Sequence, residues 1–315
     1  MAEETLMANK IQHRAFSIKL KRNPTFFSCY PHPKFPTISI TSDKCALNCK
    51  HCGRRYLQHM ISCPTPDLLF TTCSKLASNG SRGVLLSGGY NSEGYVPFEP
   101  FLDSIERVKR ETGIFISTHP GLVPGWLAHE LGRIGVDLAD FDLIGDDETI
   151  KLVLGIDRTV EDYRRSLHVL KRSLPHVVPH ICIGLHAGEI KGERAALEFA
   201  TEISPHALVL LVLMPTPGTG FEHITGPSPA EVGELIAEAR LKFPGAMLAL
   251  GCMRPRDAER VELELQALRS GVDRMEVPSE HTLEAARKLG LQVLRLDACC
   301  SVPSELIGVS TWSST

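Results

Sequence analysis

Short apolar runs rich in β-branched residues alternate along the chain with longer stretches of helical period. The runs predict strands at residues 37–41, 83–87, 114–118, 138–144, 181–185, 208–214, 247–251 and 274–277, with a further one at 292–296. The longer stretches predict helices at 100–112, 160–173, 193–203, 229–242, 257–270 and 279–289. Strand followed by helix, repeated, means parallel strands with right-handed crossovers. About eight such units predict an α/β fold, a (β/α) barrel that is complete or partly open. Residues 1–36 are expected to form an N-terminal lead, 37–298 the barrel, and 299–315 a C-terminal tail that carries Cys299-Cys300. Glycines and polar residues collect where strands end, as in Ser87-Gly88-Gly89, Thr118-His119-Pro120-Gly121, His186-Ala187-Gly188-Glu189 and Gly251-Cys252. In such folds the site lies on that face.

The length of 315 residues suits one large barrel or two average domains. A net charge of −3 leaves no electrostatic footprint for nucleic acid or an anionic membrane. No apolar run is long enough to span a bilayer. Residues 1–21 hold scattered Lys and Arg but no apolar signal core. A cytoplasmic protein is expected, with neither nucleic acid nor membrane as partner. In that reducing compartment its ten cysteines read as metal ligands, reactive thiols or small core residues rather than disulfides.

Cys45-Ala46-Leu47-Asn48-Cys49-Lys50-His51-Cys52 follows the first predicted strand. Thiolates spaced C-x3-C-x2-C can wrap one iron–sulfur cubane, since sulfur is a soft ligand. Three cysteines leave the fourth iron open, which suits catalysis. Zinc with a distant fourth ligand is the competing reading.

This motif at the end of the first strand resembles that of the radical S-adenosylmethionine (SAM) superfamily, and the match in order and spacing covers roughly residues 37–220. The resemblance implies a [4Fe–4S] cluster on Cys45, Cys49 and Cys52 whose open iron binds SAM. One electron would then release a 5′-deoxyadenosyl radical that abstracts hydrogen from an unactivated carbon. It also implies SAM contacts at Gly88 and Gly89, where glycine allows close backbone approach. Tyr90 stands where the family often has Glu. His51 takes the aromatic position beside adenine. Ser117, Thr118 and His119 face the methionine or ribose, and Gly184 to Glu189 the adenine side. Blander readings stand beside these: Gly88-Gly89 as a tight turn, His119 as a core histidine, Glu189 as a loop cap. Cys63, Cys73 and Cys182 read as packing residues.

Cys252 follows the seventh predicted strand and Cys299-Cys300 the last apolar run. With Cys29 folded back from the lead and Ser301 as an oxygen donor, these thiols suit a second cluster; the alternative is a pair of small buried residues. Radical SAM enzymes with a sacrificial second cluster insert sulfur, as biotin synthase and lipoyl synthase do. The chain resembles biotin-synthase-like barrels, and most the subunits of two-component lipoyl synthases of archaea and some bacteria. Asp142-Leu143-Ile144-Gly145-Asp146-Asp147-Glu148-Thr149, Ile183-Gly184-Leu185-His186-Ala187-Gly188-Glu189 and Gly251-Cys252-Met253-Arg254-Pro255 carry that likeness. It implies sulfur insertion into an octanoyl group on a lipoyl-carrier protein, a homologous radical SAM partner subunit, and an electron donor such as ferredoxin. Asp142, Asp146 and Asp147 would line the site, or simply be solvated. Arg254 and Arg256 would grip the SAM carboxylate or the substrate through a bidentate fork. The alternatives are a single-cluster maturase-like or mutase-like enzyme, and a non-catalytic iron–sulfur partner subunit.

Overall fold

The computed structural model describes residues 2–307 and 310–311. In chain order its strands are β1 (Thr25–Cys29), β2 (Thr37–Ser39), β3 (Ile61–Ser62), β4 (Gly83–Ser87), β5 (Phe115–Thr118) and β6 (Leu138–Asp142). They continue with β7 (His176–Ile183), β8 (Ala207–Val212), β9 (Met247–Leu250), β10 (Arg274–Glu276), β11 (Gln292–Leu296) and β12 (Ser310–Thr311). The helices begin with α1 (Ala2–Arg22), α2 (Pro66–Ser78), α3 (Leu102–Thr112), α4 (Gly125–Arg133), α5 (Asp147–Thr149) and α6 (Val160–Ser173). They end with α7 (Glu193–Thr201), α8 (Pro229–Lys242), α9 (Arg260–Arg269), α10 (Glu280–Lys288) and α11 (Ser304–Ile307). Among the described residues, no helix is long and apolar enough to cross a membrane.

The chain divides into two units. The first holds Pro31–His180 and Thr216–His223. Its strands run in the order β3-β2-β4-β5-β6-β7, all parallel. Helices α2 to α6 are its crossovers. Their starts are written in the sequence: Thr65 accepts the N–H of Leu68 ahead of Pro66, and Thr159 with Asp162 forms a capping box for α6. Every residue of β4 is buried, as a strand covered on both faces requires.

The second unit holds the described residues up to Tyr30, Ile181–Pro215, and those from Ile224 onward. Its order is β12-β11-β1-β10-β9-β8, parallel except for β12, which is antiparallel to β11. Ser228 and Glu231 form the capping box of α8, with Pro229 in its first turn.

The expected N-terminal lead is not a lead. β1 is buried throughout and lies between β10 and β11, so residues 25–29 are an internal strand. Helix α1 packs on α8 and α9. Gly233 of α8 lies against α1, its Cβ position 2.7 Å from Gln12 Nε2. Asp273 fastens the helix: its fully buried carboxylate pairs with Lys19 at 2.9 Å and also with Arg22 and Arg240. Burial works to raise the Asp273 pKa, but these three cations hold it below its ordinary value. The expected tail is likewise built in. Cys299-Cys300 sits in the turn after β11, and β12 adds an edge strand to β11. Helices α2 and α4, and the π-helical turn Ile150–Leu154, were not expected from the hydrophobic period.

Candidate functional site

In the first unit, the loop after β2 carries Cys45, Cys49 and Cys52. Backbone bonds from neighbouring segments fix its course. Ala46 N–H donates to the Tyr90 carbonyl at 2.7 Å, and Lys50 N–H to that of Val153 at 2.9 Å. Arg54 Nε closes on the Leu47 carbonyl at 3.1 Å. Gly89 is what lets the loop lie against the end of β4. A Cβ there would stand 2.0 Å from the Lys44 oxygen and 2.5 Å from Cys45 Cβ. Its N–H donates to Thr41 Oγ1 at 2.6 Å, so Gly89 serves the loop by close approach and not by a free backbone donor. Gly88 packs on the same threonine, with a Cβ position 2.9 Å from Thr41 Oγ1.

Cys49 is buried, and Cys45 and Cys52 are half-buried. A hydrogen bond between the Cys49 and Cys52 thiols pushes Cys49 up and brings Cys52 down to about 7, within reach of the thiolate.

Polar side chains from the next strand ends gather nearby. Ser117 on β5 is fully buried, and its Oγ has no hydrogen-bond partner; neither has the buried His51 Nδ1. Orphaned buried polar atoms call for a polar occupant. His119 Nδ1 lies 3.8 Å from Asp142 Oδ2, and its ring meets that of His180 edge-on at 5.1 Å. Burial pushes both histidines down to about 4, so both are neutral at pH 7. The contact with Asp142 is then carboxylate to neutral imidazole rather than an ion pair. Asp142 has accessible surface but is recessed, and burial raises its pKa.

Other expected site residues serve elsewhere. Asp146 caps α5, accepting from Thr149 N–H at 2.8 Å, and Asp147 accepts from Val160 N–H at 2.7 Å. Both carboxylates are therefore holding helix starts rather than lining a site. Glu189 lies in the second unit, exposed, in a small antiparallel bridge with His186. Cys63 and Cys73 are fully buried packing residues, and burial pushes both thiols up, Cys73 to about 12.

The second unit places four more thiols, Cys29, Cys252, Cys299 and Cys300, at neighbouring strand ends; Cys182, on β7, is half-buried and stands apart from that set. Cys29 ends β1 and Glu276 ends β10, directly paired in register. Cys252 follows β9 and Cys299-Cys300 follows β11. The four strands are neighbours in the order β11-β1-β10-β9. The ligand atoms of Glu276, Cys299 and Cys300 all lie within 4.8 Å of one another. Cys299 is brought down to about 6 by hydrogen bonds from Cys300 and Ser301, against the effect of burial. Burial raises Cys29; Cys252 is exposed at the surface, and desolvation of its sulfur by the groups around it raises it as well. Burial, with the Cys299 thiolate adding to it, also lifts Glu276 to about 8.

Arginines frame this patch, and they correct the sequence reading. Arg254 was expected to hold SAM or substrate, but its side chain is fully buried and held within the protein. It donates to the Gly251 carbonyl at 2.7 Å, to Glu264 Oε1 at 2.7 Å and to the Glu276 carbonyl at 2.8 Å. Arg256 and Arg260 donate to the carbonyl of Val277, whose φ of +43° is strained for a β-branched residue. Arg274 donates to the carbonyls of Cys300 and Val302 at 2.8 and 2.6 Å. Glu276, Arg274 and Glu264 escaped the sequence reading. The available signal was an acidic residue at the end of a predicted strand.

Glu264 gives the frame a pH dependence. Burial acts to raise its pKa, but the Ser279 N–H, Arg254 and Arg260 outweigh that and set it at about 2, against an ordinary 4.5. The stability it adds is therefore full above pH 4.5 and disappears as pH falls through about 2. We expect Glu264→Gln to lower unfolding stability by about 3 kcal/mol at pH 7 and by progressively less in acid. Denaturant titrations at several pH values check this; a pH-independent difference would refute it.

No protein-family model matches the chain. In sequence it is similar to the biotin synthase of Geotalea daltonii, 25% identical over 222 residues, which cover 68% of this chain and 66% of the relative. The biotin synthase of Prochlorococcus marinus is 26% identical over 180 residues, covering 56% and 52%. The chain thus spans from about half to just under two-thirds of the length of these relatives. In structure it is similar to the methylornithine synthase PylB, with a TM-score of 0.65, 16% identity, and 90% and 88% of the two chains covered. The hydrogenase maturase HydG gives 0.65, 13%, 91% and 68%. SuiB of Streptococcus suis, solved with bound SAM, gives 0.54, 14%, 84% and 61%. At such identities these structures show the fold. The chain is thus similar in sequence to biotin synthases and in fold to these solved proteins. Three free thiols in one loop suit a metal centre, and the unpartnered Ser117 Oγ and His51 Nδ1 suit a polar ligand.

Proposed function

We propose that the chain is a radical SAM enzyme with two iron–sulfur centres, which inserts sulfur into an octanoyl group carried on a lipoyl-carrier protein. Cys45, Cys49 and Cys52 hold the first centre. Cys252, Cys299 and Cys300 hold the second, which gives up its sulfur. When bound, a [4Fe–4S] cluster at the first centre and SAM would supply radical hydrogen abstraction. Each new C–S bond would replace a C–H bond, the hydrogen leaving on 5′-deoxyadenosine and the remaining electron passing to an iron of the second centre. The chain's own residues do the positioning. Gly89 seats the cysteine loop, Ser117 and His51 offer polar atoms to SAM, and His119 and His180 stay neutral beside it. A homologous radical SAM subunit and an electron donor such as ferredoxin complete the system.

The observation that carries this reading is that Cys29, Cys252 and the Cys299-Cys300 pair stand at the ends of β1, β9 and β11, with Glu276 ending β10 among them, in a unit that does not contain the first loop. Similarity to biotin synthases supports sulfur insertion over other radical chemistry. Iron counting after anaerobic reconstitution tests it. The protein should hold about eight irons, and a Cys45/Cys49/Cys52→Ala triple variant about four. EPR of the reduced wild type should change on adding SAM, and that of the triple variant should not. A triple variant without iron would remove the second centre.

A further inference from the structure

Glu276 is an unusual carboxylate. It is 8% exposed, ends an internal strand, and makes no hydrogen bond or ion pair with its side chain among the described residues. Cations are close and, although Arg254 Nε and Arg274 Nε have no partner, none of them bonds the Glu276 carboxylate among the described residues. Arg254 holds Glu264 and backbone carbonyls, Arg256 holds the Val277 carbonyl, and Arg274 holds the Cys300 and Val302 carbonyls. A buried carboxylate without a partner is disfavoured unless it is protonated or binds a metal. What its oxygens do meet is Cys299 and Cys300, within 4.8 Å. The backbone around it is fixed in advance. The Glu276 and Val277 carbonyls receive arginine donors, and Val277 is held at positive φ. Strain of that kind persists only where the surroundings impose it.

We propose that Glu276 is a metal ligand, supplying a carboxylate oxygen to the iron centre held by Cys252, Cys299 and Cys300. The assignment rests on the second centre of the proposed function and adds its non-thiolate ligand. A carboxylate is a hard ligand beside soft thiolates, so it marks one iron as different from the others. That iron is the one held least firmly by sulfur, and the one a chelator removes first.

The experiment uses the full chain in the Cys45/Cys49/Cys52→Ala background, so that only the second centre is read. Adding Glu276→Gln should weaken iron retention at least about tenfold, the scale already seen for partners outside the ligand shell. Its far-UV circular dichroism should match that of the parent. Glu276→Cys should keep the iron, change its Mössbauer spectrum and slow removal of the first iron by EDTA. Iron content, EDTA kinetics and Mössbauer spectrum all unchanged in Glu276→Gln would overturn the assignment. If Glu276→Gln fails to fold, Glu276→Cys decides, and a parent-like spectrum from it overturns the assignment equally. A parent background that binds no iron would remove the second centre itself, a different failure from loss of the glutamate alone.

Discussion

Replacing any one of Cys45, Cys49 or Cys52 with Ala should lower 5′-deoxyadenosine formation from SAM and dithionite to that of a protein-free control. On the proposed reading each thiolate holds a different corner of the cluster, and an under-ligated cubane loses iron. The loop itself should survive, because its course is set by backbone bonds to Tyr90 and Val153 and not by the thiols. Circular dichroism and melting temperature should therefore stay close to wild type while the absorbance of the cluster falls. Cys63→Ala is the matched control. That thiol is a fully buried packing group, so its loss should cost about 1 kcal/mol of stability and little activity. Wild-type yield from any of the three loop variants would sink the cluster assignment.

The second large effect separates sulfur insertion from radical formation. A Cys299→Ala/Cys300→Ala variant should cleave SAM within about twofold of wild type, because mutations in separate sites act independently. It should form no doubly thiolated product. The assay is an octanoylated carrier peptide with SAM, a reductant, this chain and its partner subunit, read by mass spectrometry for added sulfur. Full product from the double variant would rule out the donor role. No thiolated product from the wild-type pair would point to another substrate and leave the radical chemistry standing.

Much of this was legible because the relevant signals are local. The strands at 83–87 and 292–296 and the helices at 160–173 and 229–242 have the predicted bounds, since period and capping residues coincide there. The cysteine triplet carried its chemistry in its own spacing. Cys252, Cys299 and Cys300 were visible as candidates, yet their meeting depends on β1 lying between β10 and β11. β1 itself went unseen because Thr-Phe-Phe-Ser-Cys is short and buried throughout, with no alternation to mark a strand. Helix α1 is too polar for hydrophobic period to find it; its hold comes from the buried charge cluster at Asp273, a partnership formed across more than two hundred residues. Glu276 and Arg254 were missed or misread for a related reason. Sequence shows which groups carry charge, but only the fold shows which charges are already paired.

The arginine frame has a consequence for turnover. On the sulfur-donor reading, the second centre is dismantled in each cycle and must be rebuilt. A metal site that shapes its own pocket would slump when emptied, and every rebuilding would include local refolding. Here Arg254, Arg256, Arg260 and Arg274 grip backbone carbonyls and Glu264, and these contacts need no metal. The vacated socket keeps its walls, so restoring it is a matter of delivery rather than of renewed folding.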